Sequence, residues 1–175
     1  MMNVLSAFKP IRAFALDVDG VLTDGTVLVT EEGDMLRRMH IRDGYALQLA
    51  VRNGYWVIVI SGSYSTGVKL RLERLGVTEV HMQVKNKVEI LQRFIKSYGL
   101  SNDEVLYMGD DVPDIDVMQM AGLSCSPADA VPEILQQAMY ISPLPGGAGC
   151  VRDVIEKTMR LQNKWTDDLS VPSTL

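Results

Sequence analysis

The stretch LDVDGVLTDG, residues 16–25, places Asp17 and Asp19 at the end of a segment that is otherwise apolar. The preceding AFAL has the composition of a strand that is buried on both faces. A carboxylate next to such a strand is costly unless it has a partner or a function. A single aspartate after a strand often does no more than cap the next helix. Asp17 and Asp19 therefore indicate a functional site only if other polar residues lie close to them in the fold.

Polar residues follow three later apolar segments in the same way. Ligands of open α/β sheets bind beyond the carboxyl ends of the strands. We therefore expect these residues to meet Asp17 and Asp19 in one crevice. They are Ser61, Gly62, Lys87, Gly109, Asp110, Asp111 and, three positions further on, Asp114.

Several carboxylates in this set would face one ammonium and one hydroxyl. Carboxylates crowded together without a cation repel one another. Oxygen ligands without His or Cys suit Mg²⁺, which binds few protein carboxylates and keeps positions for water and phosphate. Lys87 adds a point charge for a phosphate oxygen, and Ser61 adds a hydrogen-bond donor. The cluster therefore predicts a magnesium site beside a phosphate site.

The elements that must position these residues alternate between strands and helices. Alternation of this kind predicts an α/β fold with three α/β/α layers, in which a Rossmann-like parallel sheet is covered on both faces. Two β-prone runs flank the turn glycine Gly33, which predicts a hairpin over 26–41 after the first strand. Asp43 is predicted to cap a helix over 44–53. Buried strands are expected at 12–18, 55–61, 79–84 and 105–109.

Composition and charge predict a soluble protein of the cytoplasm. The 175 residues are expected to form a single domain, 1–175, with a flexible tail over 165–175. A net charge of −5 argues against a nucleic-acid partner. No run is long enough to span a membrane, and the N-terminus lacks the pattern of a signal peptide. We therefore expect neither a nucleic-acid nor a membrane partner.

The motifs DVDGVLTDG (17–25), Ser61, Lys87 and GDDVPD (109–114) resemble, in the same order, the four motifs of the haloacid dehalogenase-like phosphatases. The resemblance implies that Asp17 is a nucleophile that forms an aspartyl-phosphate. It implies that Asp19 is the general acid and base, a role that the i, i+2 spacing suits. The implied ligands of Mg²⁺ are Asp17, Asp19 and Asp110, oriented by Asp111 or Asp114; the implied phosphate-binding residues are Ser61, Gly62 and Lys87.

The gaps between these motifs hold a hairpin and single helices, so no cap domain is expected. This arrangement resembles the capless subgroup that contains the 3-deoxy-D-manno-octulosonate 8-phosphate (KDO 8-phosphate) phosphatases. The resemblance implies a homotetramer, a phosphorylated sugar acid as substrate and a place in lipopolysaccharide biosynthesis. Matching features are the TDG of 23–25, the IRDG of 41–44 and the glycine loop of 146–149. The implied substrate contacts are Thr23, Arg42, Asp43 and Ser63.

Two departures from the subgroup leave the sugar acid open. Ser63 and Ala148 stand where many relatives carry arginine. A phosphatase for the nine-carbon KDN 9-phosphate, or for another small sugar phosphate, is therefore an alternative. A phospho-receiver domain or a catalytically silent scaffold is a different class, against which Asp19 and the complete motif set argue. Arg37 and Arg38 are interpreted as charges on a solvated or intersubunit face of the hairpin.

Overall fold

The structure, a computed structural model, describes residues 4–166, 168 and 170–172. Its strands are β1 (Ala13–Leu16), β2 (Leu28–Val29), β3 (Met35–Leu36), β4 (Trp56–Ile60), β5 (Glu79–His81), β6 (Val105–Met108), β7 (Leu123–Ser126) and β8 (Tyr140–Ile141). Its α-helices are α1 (Val4–Ala7), α2 (Ile41–Arg52), α3 (Thr66–Arg74), α4 (Lys87–Ser97), α5 (Ile115–Met120), α6 (Pro132–Gln137) and α7 (Cys150–Leu161). Short 3₁₀ turns cover Asn102–Glu104 and Val112–Asp114.

Six of the strands pair in parallel in the order β5-β4-β1-β6-β7-β8. β1 lies inside the sheet because every residue of AFAL is buried, as a strand covered on both faces requires. After β5 the chain crosses to the other side of β1 and adds β6 there. The strand order therefore reverses next to β1, and such a reversal opens a crevice at the carboxyl ends of the strands.

Alternate residues of each strand face opposite helical layers. Phe14 and Leu16 pack in a cluster with α2, α3 and α7. Ala13 and Ala15 pack in a second cluster with α4, α5 and α6. Burial of one Leu or Phe side chain contributes about 1.5–3 kcal/mol, so the two clusters hold the strand ends firmly. The predicted three-layer α/β/α fold with a parallel sheet is confirmed.

Helix α2 begins earlier than the sequence predicts. It starts at Ile41 with His40 as its N-cap, so the prediction that Asp43 caps a helix over 44–53 is wrong. Asp43 lies in the first turn and accepts a 2.7 Å hydrogen bond from the backbone N–H of Arg152. The first N–H groups of a helix lack partners within it and attract negative charge. Asp43 therefore ties α2 to the N-terminal end of α7.

The hairpin is present but shorter than the predicted 26–41. Only β2 and β3 pair, and a single bridge between Thr23 and Met39 closes the base. A two-stranded ribbon is marginal unless something packs against it, which explains its short pairing. Its apolar side chains are largely exposed to solvent, with Leu28 68% and Val29 59% accessible.

The described part of the tail packs against α2; the rest of the tail that is predicted to be flexible, residues 167, 169 and 173–175, lies outside the described residues. Val171 is buried, and Gln48 donates a 2.6 Å hydrogen bond to the carbonyl of Pro172. The Tyr45 hydroxyl accepts a hydrogen bond from the backbone N–H of Asp168. These contacts arise because α2 offers polar side chains that bind the tail backbone. Within the part of the chain that is described, no helix has the length and apolar character to cross a membrane.

Candidate active site

Asp17 is the first residue after β1 and is held from both sides. Its backbone N–H donates to the carbonyl of Met108 at the end of β6, at 3.0 Å. Its Oδ1 accepts a 2.7 Å hydrogen bond from the N–H of Val18, and its Oδ2 lies 3.0 Å from Lys87 Nζ. Only 8% of the residue is accessible. The carboxylate is therefore fixed at the strand end with one edge facing the crevice.

A tight loop carries the chain from Asp17 to Gly25. The Thr23 hydroxyl donates to the carbonyl of Val18 and accepts from the N–H groups of Gly20 and Gly25. Gly20 has a φ of +83°, and a Cβ there would overlap the carboxylate of Asp110. A glycine is needed at residue 20 for both reasons. Thr23, a predicted substrate contact, is fully buried and supports this loop.

Three carboxylates, those of Asp17, Asp110 and Asp114, have oxygens within 4.8 Å of one another. Burial, with the neighbouring carboxylates adding to it, raises the pKa of Asp17 to about 7 and that of Asp110 to about 7, and Lys87 opposes both shifts. Asp110 Oδ1 is buried and accepts no hydrogen bond from any described residue. An all-oxygen donor set with an unpartnered oxygen fits Mg²⁺, which would relieve the repulsion.

Asp114 connects the carboxylate cluster to Lys87. Its Oδ1 accepts hydrogen bonds from Lys87 Nζ at 2.7 Å and from the Tyr107 hydroxyl at 2.6 Å. Its Oδ2 accepts from the backbone N–H of Asp110 at 3.2 Å. Burial alone would lower the pKa of Lys87, but Asp17 and Asp114 outweigh it and raise that pKa. The lysine is therefore held charged at the crevice.

The two other aspartates of the GDDVPD motif thus differ in position. Asp114 is buried among the charged groups, whereas Asp111 is exposed and accepts a 2.8 Å hydrogen bond from the N–H of Val112. Asp111 is the N-cap of the 3₁₀ turn that carries Asp114. Between the two predicted orienting residues, only Asp114 touches the groups that face the crevice.

Ser61 and its neighbours line the crevice from the end of β4. Ser61 is buried, and its backbone N–H donates to the carbonyl of His81 at the end of β5. Its hydroxyl oxygen accepts a 3.1 Å hydrogen bond from the N–H of Ser63 and lies 3.0 Å from the Ser63 hydroxyl. The short turn after β4 therefore presents two hydroxyl groups to the space above Lys87.

Asp19 has partners that the sequence did not indicate. Arg37 Nε lies 2.6 Å from Asp19 Oδ1, and Arg37 Nη2 lies 3.3 Å from Oδ2. The Ser63 hydroxyl donates to Oδ2 at 2.7 Å. Burial would raise the pKa of Asp19, but the hydrogen bonds from Arg37 and Ser63 outweigh it and lower that pKa. The side chain of Arg37 is buried, so the interpretation of it as a surface charge is wrong.

The crevice has a volume of about 330 Å³ and brings most predicted site residues together. Of the predicted substrate contacts, Ser63 lines it. Arg42 instead lines a separate cavity of about 820 Å³ beside α7, together with Ala148. Asp43 is buried against α7, and Thr23 lies beneath the loop. The predicted site residues that line the crevice are Asp17, Asp19, Ser61, Gly62, Ser63, Lys87, Asp110, Asp111 and Asp114.

Comparisons with known proteins agree with this geometry. The sequence profile of the haloacid dehalogenase-like hydrolases matches residues 64–149. The 3-deoxy-D-manno-octulosonate 8-phosphate phosphatase KdsC of Escherichia coli K12 is 33% identical over 162 residues, which is 93% of this chain and 86% of that protein. The chain belongs to the KdsC family of haloacid dehalogenase-like hydrolases.

Solved structures of the KdsC family share this fold. The KDO 8-phosphate phosphatase of Yersinia pestis superposes with a TM-score of 0.90 at 31% identity, covering 92% of this chain and 87% of that one. The Moraxella catarrhalis enzyme, crystallised with magnesium, phosphate and KDO, gives a TM-score of 0.89 at 31% identity, covering 93% and 94% of the two chains. This KdsC-family chain is thus an α/β hydrolase in which a hairpin and α2 fill the space between the first two motifs.

Two residues of this KdsC-family site escaped the sequence reasoning. Tyr107 lies within the apolar run VLYM, and the one signal that could have indicated its role is that a buried phenol needs a hydrogen-bond partner, which in the structure is Asp114. Arg37 lies 18 residues from Asp19 on an element whose direction is set by the fold. No local pattern in the sequence shows that this side chain folds back onto the loop that follows Asp17.

Proposed function

We propose that this protein is a Mg²⁺-dependent phosphatase that hydrolyses KDO 8-phosphate to KDO and phosphate in the cytoplasm, within lipopolysaccharide biosynthesis. The observation that carries the proposal is the buried contact between Asp17 and Lys87 beside the oxygen cluster of Asp110. The substrate comes from the relatives, which are named KDO 8-phosphate phosphatases. The two cysteines, free and buried, are compatible with a reducing compartment.

In the first step, a carboxylate oxygen of Asp17 forms a bond to phosphorus as the bond from phosphorus to the sugar oxygen breaks. Asp19 donates a proton to that departing oxygen. Lys87 and Ser61 hold the phosphoryl oxygens while negative charge develops on them. The sugar leaves as the neutral alcohol, and the phosphoryl group remains on Asp17.

In the second step, the carboxylate of Asp19 takes a proton from a water molecule, which attacks the phosphorus. The bond to Asp17 breaks, and inorganic phosphate leaves. Mg²⁺ would be held by the side chains of Asp17 and Asp110 and the backbone carbonyl of Asp19, and when bound it neutralises the charge that the carboxylates and the phosphate bring together. Asp114 orients this set through the N–H of Asp110 and through Lys87.

A homotetramer is part of the proposal. The exposed apolar side chains of β2 and β3, together with those of Val27 and Ile41, form an apolar surface patch. Exposed patches of this kind commonly mark protein–protein interfaces. The crevice is open because no cap domain covers it, and phosphoryl transfer benefits from the exclusion of water. A neighbouring subunit would cover both. Light scattering is expected to give the mass of a tetramer, and a fully active monomer would refute this assembly.

The activity is tested by phosphate release, with and without Mg²⁺, from KDO 8-phosphate, KDN 9-phosphate and hexose phosphates. We expect release from KDO 8-phosphate only with Mg²⁺, almost none from Asp17→Asn, and a loss of about 10²–10⁴-fold in Asp19→Asn. Release from none of the substrates, or full activity of Asp17→Asn, would refute the mechanism. A preference for KDN 9-phosphate or a hexose phosphate would keep the mechanism and change the substrate.

A further inference from the structure

Arg37 is the one residue of the described hairpin whose charged end is withdrawn from solvent onto the active site. It follows β3 directly, and only 4% of its side chain is accessible. Its Nε and Nη2 contact both oxygens of Asp19, while its Nη1 donates to the carbonyl of Met35 at 3.2 Å. One guanidinium group thus joins the backbone of the hairpin to a catalytic carboxylate.

Arg37 contacts Asp19 from the side that faces away from the crevice. Asp19 lines the crevice, whereas Arg37 lines the cavity between the hairpin and α3, with Met35, Leu36 and Met39. In this geometry a substrate in the crevice meets Asp19 first. Any effect of Arg37 on the reaction therefore passes through the carboxylate of Asp19.

The hydrogen-bond donors around Asp19 fix the orientation of its carboxylate and leave one of its lone-pair positions unoccupied. A carboxylate offers about four lone-pair positions. Arg37 takes one on each oxygen, and the hydroxyl of Ser63 takes a further one on Oδ2 at 2.7 Å. The fork of a guanidinium also fixes the plane of a carboxylate, which a single lysine ammonium does not. One position remains, which can carry the proton that passes to a leaving group or can accept the O–H of a water molecule.

We propose that Arg37 is a positioning residue, through which the hairpin holds the carboxylate of Asp19 in line with the reacting oxygen. This inference rests on the proposed function, in which Asp19 transfers the proton.

The neighbouring arginine provides a matched control. Arg38 lies on the same strand end, also forms an ion pair, 2.6 Å from Asp24 Oδ2, and is 84% accessible. Arg37→Met and Arg38→Met remove the same charge from adjacent positions. A purely structural ion pair at Arg37 would lower the melting temperature and leave the kinetics of the folded enzyme unchanged.

The experiment compares two substrates that differ in their need for an acid. One is the sugar-acid phosphate that the wild type hydrolyses fastest; the other is p-nitrophenyl phosphate, whose leaving group departs without a proton. We measure kcat and KM for the wild type, Arg37→Met, Arg37→Lys and Arg38→Met. Thermal unfolding and circular dichroism of each variant establish that it is folded.

For Arg37→Met we expect kcat/KM on the sugar-acid phosphate to fall about 10–100-fold, with KM within about twofold, and kcat/KM on p-nitrophenyl phosphate to fall less than about threefold. Arg37→Lys should recover part of the loss, and Arg38→Met should match the wild type. Added to Asp19→Asn, Arg37→Met should have no further effect, because the amide that replaces the carboxylate transfers no proton. Equal losses on both substrates, unchanged kinetics, or an additive double variant would overturn the proposal.

The activity of the wild type distinguishes a failure of the role of Arg37 from a failure of the proposed phosphatase function. An active wild type with an inactive Asp17→Asn and an Arg37→Met variant that behaves like the wild type would overturn the role of Arg37 alone. A folded wild type that releases no phosphate from any substrate would overturn the proposed function and, with it, the role of Arg37.

Discussion

The two concavities described above, beside α7 and at the strand ends, differ in what their charges do. The cavity beside α7 has a volume of about 820 Å³, and most of its charged side chains form ion pairs along the helix. Arg152 and Arg160 both bind Glu156, and Lys157 lies 3.4 Å from Asp153. The crevice has a volume of only about 330 Å³, yet five aspartates and two lysines line it, and oxygens of three of those aspartates lie within 4.8 Å of one another.

The comparison teaches that like charges buried close together mark a reactive site better than size does. Pairs at i, i+4 on an open helix face cost little and contribute little. Carboxylates that are buried together have raised pKa values because each destabilises the negative charge of the others. They therefore favour binding of a cation or a proton.

The largest contrast is expected between two lysines. Lys87→Met removes a buried ammonium that contacts Asp17 and Asp114, and should lower kcat/KM about 10³-fold because the developing phosphoryl charge loses its partner. Lys157→Met in the larger cavity should stay within about twofold of the wild type. Steady-state kinetics on the proposed substrate measures both. Comparable losses in the two variants would erase the contrast.

The affinity of the crevice for Mg²⁺ should depend on pH because its carboxylates repel one another and are partly protonated without the metal. Without metal, Asp17 and Asp110 each have a pKa raised to about 7, so both hold protons at pH 6 that Mg²⁺ must displace. The apparent affinity should therefore rise with pH, by roughly tenfold for each proton displaced between pH 6 and pH 8. Calorimetric titration at several pH values measures this rise, and a flat profile would contradict it. Asp110→Asn should bind weakly and show a shallower slope.

A smaller contrast is expected between two aspartates that each contact a lysine. Asp114→Asn weakens the contact that fixes Lys87 and should lower kcat/KM roughly 10–100-fold. Asp153→Asn, whose partner is Lys157, should leave kcat/KM unchanged. An Asp114→Asn enzyme with wild-type kinetics would mean that Lys87 is positioned by Asp17 alone.

The smallest effect belongs to the larger cavity and concerns stability. Burial would raise the pKa of Glu156, but Arg160 and Arg152 outweigh it and lower that pKa. A lowered pKa stabilises the fold above the unfolded pKa of about 4.3, and this contribution disappears as the pH falls through the folded pKa. Glu156→Gln should therefore cost about 0.5–1 kcal/mol at about pH 7 and less at about pH 3. Urea unfolding at the two pH values gives the comparison, and an equal cost at both would refute the linkage.

The contrast also explains what could be predicted from the sequence. Asp17, Ser61, Lys87 and Asp110 were identifiable because each follows a buried strand closely or opens the next helix. Parallel strand ends meet at one edge whatever the details of packing. The alternation of strands and helices predicted the layers of the fold, and two β-prone runs around Gly33 predicted the hairpin.

The residues that were misplaced depend on contacts across the fold. Asp43 was predicted to cap its own helix, but the free N–H groups of α7, more than a hundred positions away, attract it. Arg37 was assigned to a surface because charge on a hairpin is usually solvated. Its direction depends on how the hairpin folds back at the bridge between Thr23 and Met39. Periodicity and local composition carry no information on such contacts.

The glycine loop before α7 touches the loop that follows Asp17. Gly147 donates a 3.0 Å hydrogen bond to the carbonyl of Val21, and a Cβ on Gly146 would overlap the backbone of Gly20. The two loops are separated by more than a hundred residues in the chain. During synthesis Asp17 therefore emerges from the ribosome long before the segment that shapes its loop. We expect a nascent chain arrested before residue 146 to be inactive, so that activity appears only after the last helix has been made.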